Sequence, residues 1–421
     1  MATPATRVDD DSTATRSALA ARYAEVRAYS LALAAPLSAE DACVQSMADA
    51  SPAKWHLAHV TWFFETFVLE AHEAGFAPHH PAFRELYNSY YNGIGPQYPR
   101  PRRGLVTRPS LEAVREYRAA VDARIADLLE STDLPAAALT TIELGLHHEQ
   151  QHQELLLMDI KHLLSLNPLA PAYSETPLVP AAAAPALQWT AQAGGLRELG
   201  HDSASGFAFD NETPRHRAWL EPYALASRLV TNAEYLEFVD AGGYRDARPW
   251  LADGWATVNA EGWRAPLYWR EIDGAWYEFT LHGLLPLDPA RPVCHVSHYE
   301  ADAYAQWRGL RLPTEFEWEA ASPAPAAVQT PRLHPPAATT AGDDAYGSAW
   351  QWTASAYLPY PGFRAAAGAV GEYNGKFMSN QMSLRGSACL TPPGHARHTY
   401  RNFFYPHQRW AMTGIRLARD L

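Results

Sequence analysis

Cysteine is scarce in this chain. Cys43, Cys294 and Cys389 are the three present, too few and too scattered for a disulfide framework, and a reducing cytoplasm suits them. Basic charge is also short: 34 lysines and arginines stand against 46 aspartates and glutamates, a formal charge of −12. That balance argues against nucleic acid or an anionic membrane as partner. No apolar run reaches the roughly 18 residues that cross a bilayer. The stretch from Met1 to Ser17 is polar and acidic, without the apolar core of a secretion signal, so a cytoplasmic protein is expected. No internal repeat is visible.

With 421 residues the chain has room for two or three domains and for sizeable cores. It holds 18 histidines, half of them before residue 165, a distribution that fits a metal or acid–base site. The densest stretch is Leu146-His147-His148-Glu149-Gln150-Gln151-His152-Gln153-Glu154-Leu155, in a helical run expected from Pro135 to Asn167-Pro168. Residues four apart share a helix face. His148 and His152 therefore point the same way, and neutral imidazoles at that spacing can grip one metal ion. Gln151 lies beside His148 and reaches toward whatever the metal holds. Two histidines at this spacing also occur on polar helix faces by chance, so the pair alone is a weak signal; a third histidine in a matching context strengthens it.

Upstream, a helix rich in Ala and Leu is expected over Thr13 to Leu33. A second starts at Ser51-Pro52, an N-cap followed by proline at the first helical position, and ends near Gly75. Along it Trp55, His59, Trp62 and Phe63 share a face. Taken alone, His59 fits a core histidine with one hydrogen bond better than a ligand, although the same aromatic rings would make a dry wall for a metal. Leu86 to Arg108 reads as a long loop punctuated by Gly and Pro, and such a loop in a helical domain often carries function. Its Tyr90 and Tyr91 can donate protons, and its Arg100 and Arg103 can clamp carboxylates; the alternative is a solvated basic surface loop. A helix from Ser110 to about Glu130 and the histidine-bearing helix complete a four-helix antiparallel bundle over residues 13–168.

Residues 169–188 are Pro/Ala-rich and non-periodic, a linker. Residues 189–421 read as an irregular α+β domain, with helices at Asn232 to Asp240, capped by Thr231, and at Ser297 to Arg308. Ser322 to Asp343 is a second Pro/Ala/Thr-rich stretch, expected as a surface loop.

The C-terminal half carries Leu229-Val230-Thr231-Asn232-Ala233-Glu234-Tyr235, Arg311-Leu312-Pro313-Thr314-Glu315-Phe316-Glu317-Trp318-Glu319, Trp350-Gln351-Trp352-Thr353, Leu384-Arg385-Gly386-Ser387 and Gly414-Ile415-Arg416-Leu417. On these it resembles the formylglycine-generating-enzyme-like fold, a relative of C-type lectin folds. The N-terminal half is similar to a DinB-type four-helix bundle, whose usual metal site is one histidine plus an HxxxH pair. Fused in this order, the two resemble the ergothioneine-biosynthesis sulfoxide synthases and the related selenoneine synthases. The stretches Gly206–Glu212, Tyr373–Met378 and Thr399–Phe404 fit that group as well, so the resemblance spans nearly the whole chain.

The resemblance implies Fe(II) ligated by His59, His148 and His152, with His56 and His147 one position off and facing elsewhere. It implies Tyr90 or Tyr91 as proton donor, Arg100 and Arg103 on the thiol's carboxylate, and Gln151 near the imidazole substrate. Tyr373, Asn374, Lys376, Asn380 and Gln381 would form the other wall of the pocket. The substrates implied are hercynine (N-alpha-trimethylhistidine), a cysteine-type thiol and O2, joined at the imidazole C2 as a sulfoxide. The alternatives are a selenosugar donor, as in selenoneine synthases, and a DinB-type thiol transferase that needs no O2. Three histidines alone suit zinc as well as iron. Two departures stand out. Formylglycine-generating enzymes use a cysteine pair near the C-terminus, where this chain has Cys389 alone. The usual Arg-Gly-Gly-Ser reads Arg385-Gly386-Ser387-Ala388, and the missing glycine is expected to alter a tight turn.

Overall fold

The computed structural model describes residues 7–202, 204–325, 332–337 and 345–421. The chain divides into two units: Met1–Leu163 with Ala367–Tyr373, and Leu164–Ala366 with Asn374–Leu421.

The first unit is built on four long helices, α1 (Arg7–Ala34), α2 (Ala53–Phe64), α3 (Leu111–Glu130) and α4 (Ala136–Ser165). Ser110 caps α3 by accepting from the Ala113 amide, the role its side chain suits. The start of α2 differs from expectation. The Pro52 carbonyl accepts from the Trp55 amide at 2.9 Å and the His56 amide at 3.1 Å, so Pro52 occupies the cap and Ser51 lies outside the helix. Past Phe64 the helix widens into a π segment, Glu65–Leu69, before a last turn at Glu70–His72. The loop expected over Leu86 to Arg108 is real but contains a 3-10 turn, Arg100–Leu105.

Two features fix how α4 meets its neighbours. Glu149, fully buried, accepts from Arg27 Nη1 of α1 at 2.8 Å, from Ser30 Oγ at 2.5 Å and from Arg118 of α3. Arg27 Nη2 donates to Thr61 Oγ1 of α2 at 3.0 Å. Every helix thus contributes to one buried charge cluster, and any rotation would strand an ion without its partner. At Gly145 a Cβ would lie 2.6 Å from Phe64 Cε1, so α4 approaches α2 closely only because that position is glycine. His148 follows less than one turn later.

The second unit is the irregular α+β domain. Strands β8 (Trp350–Ala356), β9 (Met382–Arg385), β10 (Asn402–Phe404) and β11 (Thr413–Gly414) form a sheet ordered β10-β9-β8-β11, with β11 parallel to β8. The described residues add a three-stranded sheet ordered β1-β4-β12 (Trp189–Gln192, Tyr223–Ala226, Ala418–Asp420), a hairpin of β2 (Gly195–Leu199) and β3 (His216–Leu220), and a meander of β5 (Trp269–Ile272), β6 (Ala275–Thr280) and β7 (Gly283–Pro286). Helices Asn232–Asp240, His298–Trp307 and Glu315–Ala321 each begin with a capping box, at Thr231/Glu234, Ser297/Glu300 and Thr314/Glu317. Residues 169–187 contain no helix or strand. Most of the stretch from Ser322 to Asp343 lies outside the described residues.

The family-like motifs of this unit are mostly spent on its core. Glu315 holds Arg401 through two bonds of 2.8 and 2.9 Å, and Glu319 holds the fully buried Arg385. The departure at Ser387 leaves the turn intact. The left-handed residue there is Gly386, at φ +93°, where a Cβ would sit 2.3 Å from the Ala345 carbonyl oxygen. Ser387 needs no such conformation, and its Oγ accepts from the Gly347 amide at 2.8 Å.

Candidate metal centre

Side-chain nitrogens of His59, His148 and His152 lie within 4.8 Å of one another. α2 supplies the first and α4 the other pair. The His59 ring is stacked between Trp55 and Trp62, with centroids 4.5 and 5.6 Å away and planes within 15° of parallel. Its Nδ1 lies 2.6 Å from the Tyr87 carbonyl oxygen. A carbonyl only accepts, so Nδ1 carries the hydrogen and the lone pair sits on Nε2. That Nε2 is buried and has no hydrogen-bond partner, as is true of both nitrogens of His148.

Burial also settles the charge. It pulls His148 from the ordinary 6.5 down to about 3. His59 and His152 are held well below 6.5 by burial, with His148 and the other nearby imidazoles adding to the shift. All three are neutral at neutral pH, the form that ligates metal. Buried nitrogens left without partners are costly in a protein core, and a metal ion would relieve that cost. The donor set therefore fits a mid-to-late first-row divalent metal.

His56 does not face elsewhere. Its Nδ1 lies 2.8 Å from His152 Nδ1, and its Nε2 lies 2.9 Å from Asp159 Oδ2. His56 lies one residue row off the His59 face of α2, and α4 passes close enough to reach that row as well. His147 does turn away, with its Nε2 2.8 Å from Arg22 Nη2 of α1. Asp159 was missed in the sequence although it follows His152 by two helical turns, a spacing that keeps the same face.

Aromatic rings line the rest of the centre. Tyr90 and Tyr91 stack with centroids 4.6 Å apart, and Tyr91 lies against Trp62 and Phe67. Tyr373, from the short segment that joins the first unit, meets His148 edge-on at 5.6 Å and Tyr90 at 6.3 Å. Its hydroxyl donates to Gln151 Oε1. Next to it, the Glu372 carboxylate accepts from the amides of Asn92 at 3.0 Å and Gly93 at 2.7 Å, tying down the loop just after the tyrosine pair.

The two arginines part company. Arg103 is buried on the Trp55 ring, 3.4 Å from its centroid, and donates to Ser51 Oγ and Ser89 Oγ at 2.9 Å each. No carboxylate among the described residues pairs with it, and burial pushes its pKa well below the usual arginine value, with the Arg100 charge adding to the shift. Arg100 is exposed on the 3-10 turn and donates to the Asp49 carbonyl. Asn374, Lys376, Asn380 and Gln381 belong to the second unit. There Asn374 donates to Asp210 at 2.7 Å, Gln381 donates to the Phe377 carbonyl at 3.2 Å, and Lys376 and Asn380 are exposed.

The DinB superfamily matches residues 22–156, and the sulfatase-modifying factor enzyme 1-like domain matches residues 179–332. The chain is 31% identical to a hercynine oxygenase of Mycobacterium tuberculosis, across 96% of this chain and 99% of that protein. It belongs to the hercynine oxygenase family. A second hercynine oxygenase, from Mycolicibacterium smegmatis, is 32% identical across 88% of this chain and 91% of its own length. Ergothioneine biosynthesis protein 1 of Schizosaccharomyces pombe is 28% identical across 51% of this chain and 28% of its own. In this member of the hercynine oxygenase family, Cys294 and Cys389 are both buried, and Cys389 is the one cysteine near the C-terminus, where formylglycine chemistry needs two. No described helix is long and apolar enough to cross a membrane.

Proposed function

We propose that this chain joins the imidazole C2 of hercynine to a cysteine-type thiol at the expense of O2, giving a sulfoxide in ergothioneine biosynthesis, with Fe(II) on His59, His148 and His152. The observation that carries this reading is the trio of neutral imidazoles, His59 and His148 buried and His152 half-buried, gathered within 4.8 Å in a chain of the hercynine oxygenase family. In the overall reaction the C2–H and S–H bonds break and a C–S bond forms. One oxygen atom ends on sulfur and the other leaves as water, so O2 takes up four electrons. Bound to three histidines, Fe(II) supplies redox electrons and the open coordination positions that O2 and a soft sulfur donor require.

The surrounding residues divide the remaining work. Arg103 presents a buried positive charge without a carboxylate of its own, suited to the carboxylate of the thiol substrate. Tyr90 and Tyr91 keep their protons at neutral pH because burial raises both phenols, so each can hold a proton at Oη until oxygen is reduced. The Tyr373 hydroxyl fixes the Gln151 amide beside the histidines, where it can orient the imidazole of hercynine. The aromatic walls exclude water and offer faces to the quaternary ammonium.

The test is a donor panel. Iron-loaded protein is given hercynine, O2 and, in separate reactions, cysteine, γ-glutamylcysteine or a seleno-glucose, and products are identified by mass. A sulfoxide from one of the thiols is expected. Product from the selenium donor alone would move the reading to C–Se bond formation. Turnover that persists under strict anoxia would overturn the oxygenase mechanism in favour of thiol transfer.

A further inference from the structure

The three histidines are held in three different ways. His59 is oriented by a backbone carbonyl and His148 by packing alone, while His152 is oriented by side chains. Asp159 Oδ2 accepts from the Ser51 amide at 2.8 Å and lies 2.9 Å from His56 Nε2; His56 Nδ1 in turn lies 2.8 Å from His152 Nδ1. His56 and Asp159 are 3% and 6% exposed, so the bond between them is shielded from water. A carboxylate only accepts, which puts the hydrogen of a neutral His56 on Nε2 and leaves its Nδ1 bare. The bare Nδ1 can face His152 Nδ1 at that distance only if His152 carries its hydrogen there. The lone pair of His152 is thereby confined to Nε2.

We infer that His56 and Asp159 are positioning residues for the metal centre: together they set the tautomer and the ring orientation of His152, and so the affinity and geometry of the site. The inference rests on the reading of His59, His148 and His152 as metal ligands. Relays of this kind, carboxylate to imidazole to metal, normally change metal affinity by about 10–100-fold when broken. Here an extra imidazole is inserted between the carboxylate and the ligand. The same Ser51 whose amide holds Asp159 accepts from Arg103 through its Oγ, so the relay also abuts the buried guanidinium.

Substitutions at the two positions separate orientation from bulk. In Asp159→Asn an amide oxygen keeps accepting from His56 and Ser51; in Asp159→Leu nothing accepts. His56→Gln keeps a donor for Asp159 and an acceptor for His152, while His56→Leu keeps neither. The full-length chain is titrated with Co(II), following its visible d–d bands, and the metal-free fold is checked by circular dichroism. The expected result is binding about 10–100-fold weaker, with displaced bands, for Asp159→Leu and His56→Leu. Asp159→Asn and His56→Gln should stay close to wild type. Wild-type affinity and unchanged bands in the two leucine variants would overturn the relay while leaving the metal site standing. If Asp159→Leu does not fold, the two His56 variants decide, and equal binding by them overturns the relay. A wild-type chain that takes up no Co(II) would overturn the metal reading, and the relay with it.

Discussion

His59 Nδ1 and the Tyr87 carbonyl oxygen are 2.6 Å apart, a bond that joins α2 to the start of the tyrosine loop and turns His59 Nε2 toward His148 and His152. Backbone bonding and packing within the bundle thus orient this ligand independently of what it binds. Such a site need not hold the bundle together, unlike a structural zinc site, where binding energy is folding energy. His59→Ala and His148→Ala are expected to abolish uptake of one divalent metal per chain. They should change the stability of the metal-free protein by no more than about 2 kcal/mol. Metal content and urea unfolding measure the two effects, and unfolded variants would instead mark the site as structural.

Glu149 neighbours His148 in sequence but points into the charge cluster with Arg27 and Arg118. Glu149→Ala would leave Arg118 buried without a carboxylate and Arg27 with Asp122 alone, at a cost of about 3–5 kcal/mol. Urea unfolding of the metal-free chain should show a loss of that size. Because the cluster sets the rotation of α4, metal affinity should fall as well, although Glu149 is no ligand.

The parts of the molecule governed by local chemistry were legible in the residues. Ser110 and Thr231 announce their helices because a hydroxyl can cap an amide three residues on, and HxxxH announces a metal face because four residues make about one turn. What depends on close approach between elements was not. Pro52 takes the cap in place of Ser51, whose Oγ accepts from Arg103 and whose amide donates to Asp159, more than a hundred residues later. His56 joins the centre because α4 passes over it, helped by the bare backbone at Gly145. The segment Ala367–Tyr373 groups with the bundle rather than with the unit that surrounds it in sequence, which no local pattern encodes. Helix Ala252–Glu261 has no side-chain cap to announce it, its first turn following Leu251.

Acid sensitivity has a source in the second unit. His298, 5% exposed, opens the helix His298–Trp307, and burial draws it from 6.5 to about 4; the positive end of the helix also disfavours its charge. Between those values the unfolded chain binds a proton that the folded chain does not, so stability falls as pH drops through the window. The effect amounts to about 3 kcal/mol in full. His298→Gln should gain stability relative to wild type as pH is lowered from 7 to 4, measured by urea unfolding at several pH values. A difference that stays constant with pH would refute the assignment.

Arg103 is expected to act on the thiol rather than on the metal. Arg103→Leu should lower kcat/KM for a carboxylate-bearing thiol by about 10–100-fold, the worth of a charged hydrogen bond, chiefly through KM. Arg103→Lys should recover only part of this, because an ammonium cannot stack on Trp55 and reach both Ser51 and Ser89. Steady-state kinetics with cysteine and with a decarboxylated analogue make the comparison, and an equal loss for both donors would contradict the clamp.

The two adjacent phenols differ in how well they can release a proton. Both are raised by burial, but Arg100 and Arg103 oppose that shift at Tyr90. At Tyr91 the neighbouring Tyr90, Tyr373 and Glu372 all push the pKa further up. A phenolate forming at Tyr90 would face two guanidiniums, whereas one forming at Tyr91 would face a carboxylate and the apolar walls of Trp62 and Phe67. Tyr90 is therefore expected to be the better acid, with Tyr91 expected to hold it by stacking. Tyr90→Phe should shift the outcome from C–S bond formation toward simple thiol oxidation by about 10-fold or more, within the range expected for loss of a general acid. Tyr91→Phe should preserve the product ratio and lower the rate less. The ratio of sulfoxide to oxidised thiol, quantified by mass spectrometry at saturating hercynine, decides between them. The reverse pattern would assign the proton to Tyr91, and an unchanged ratio in both variants would remove the loop from proton delivery altogether.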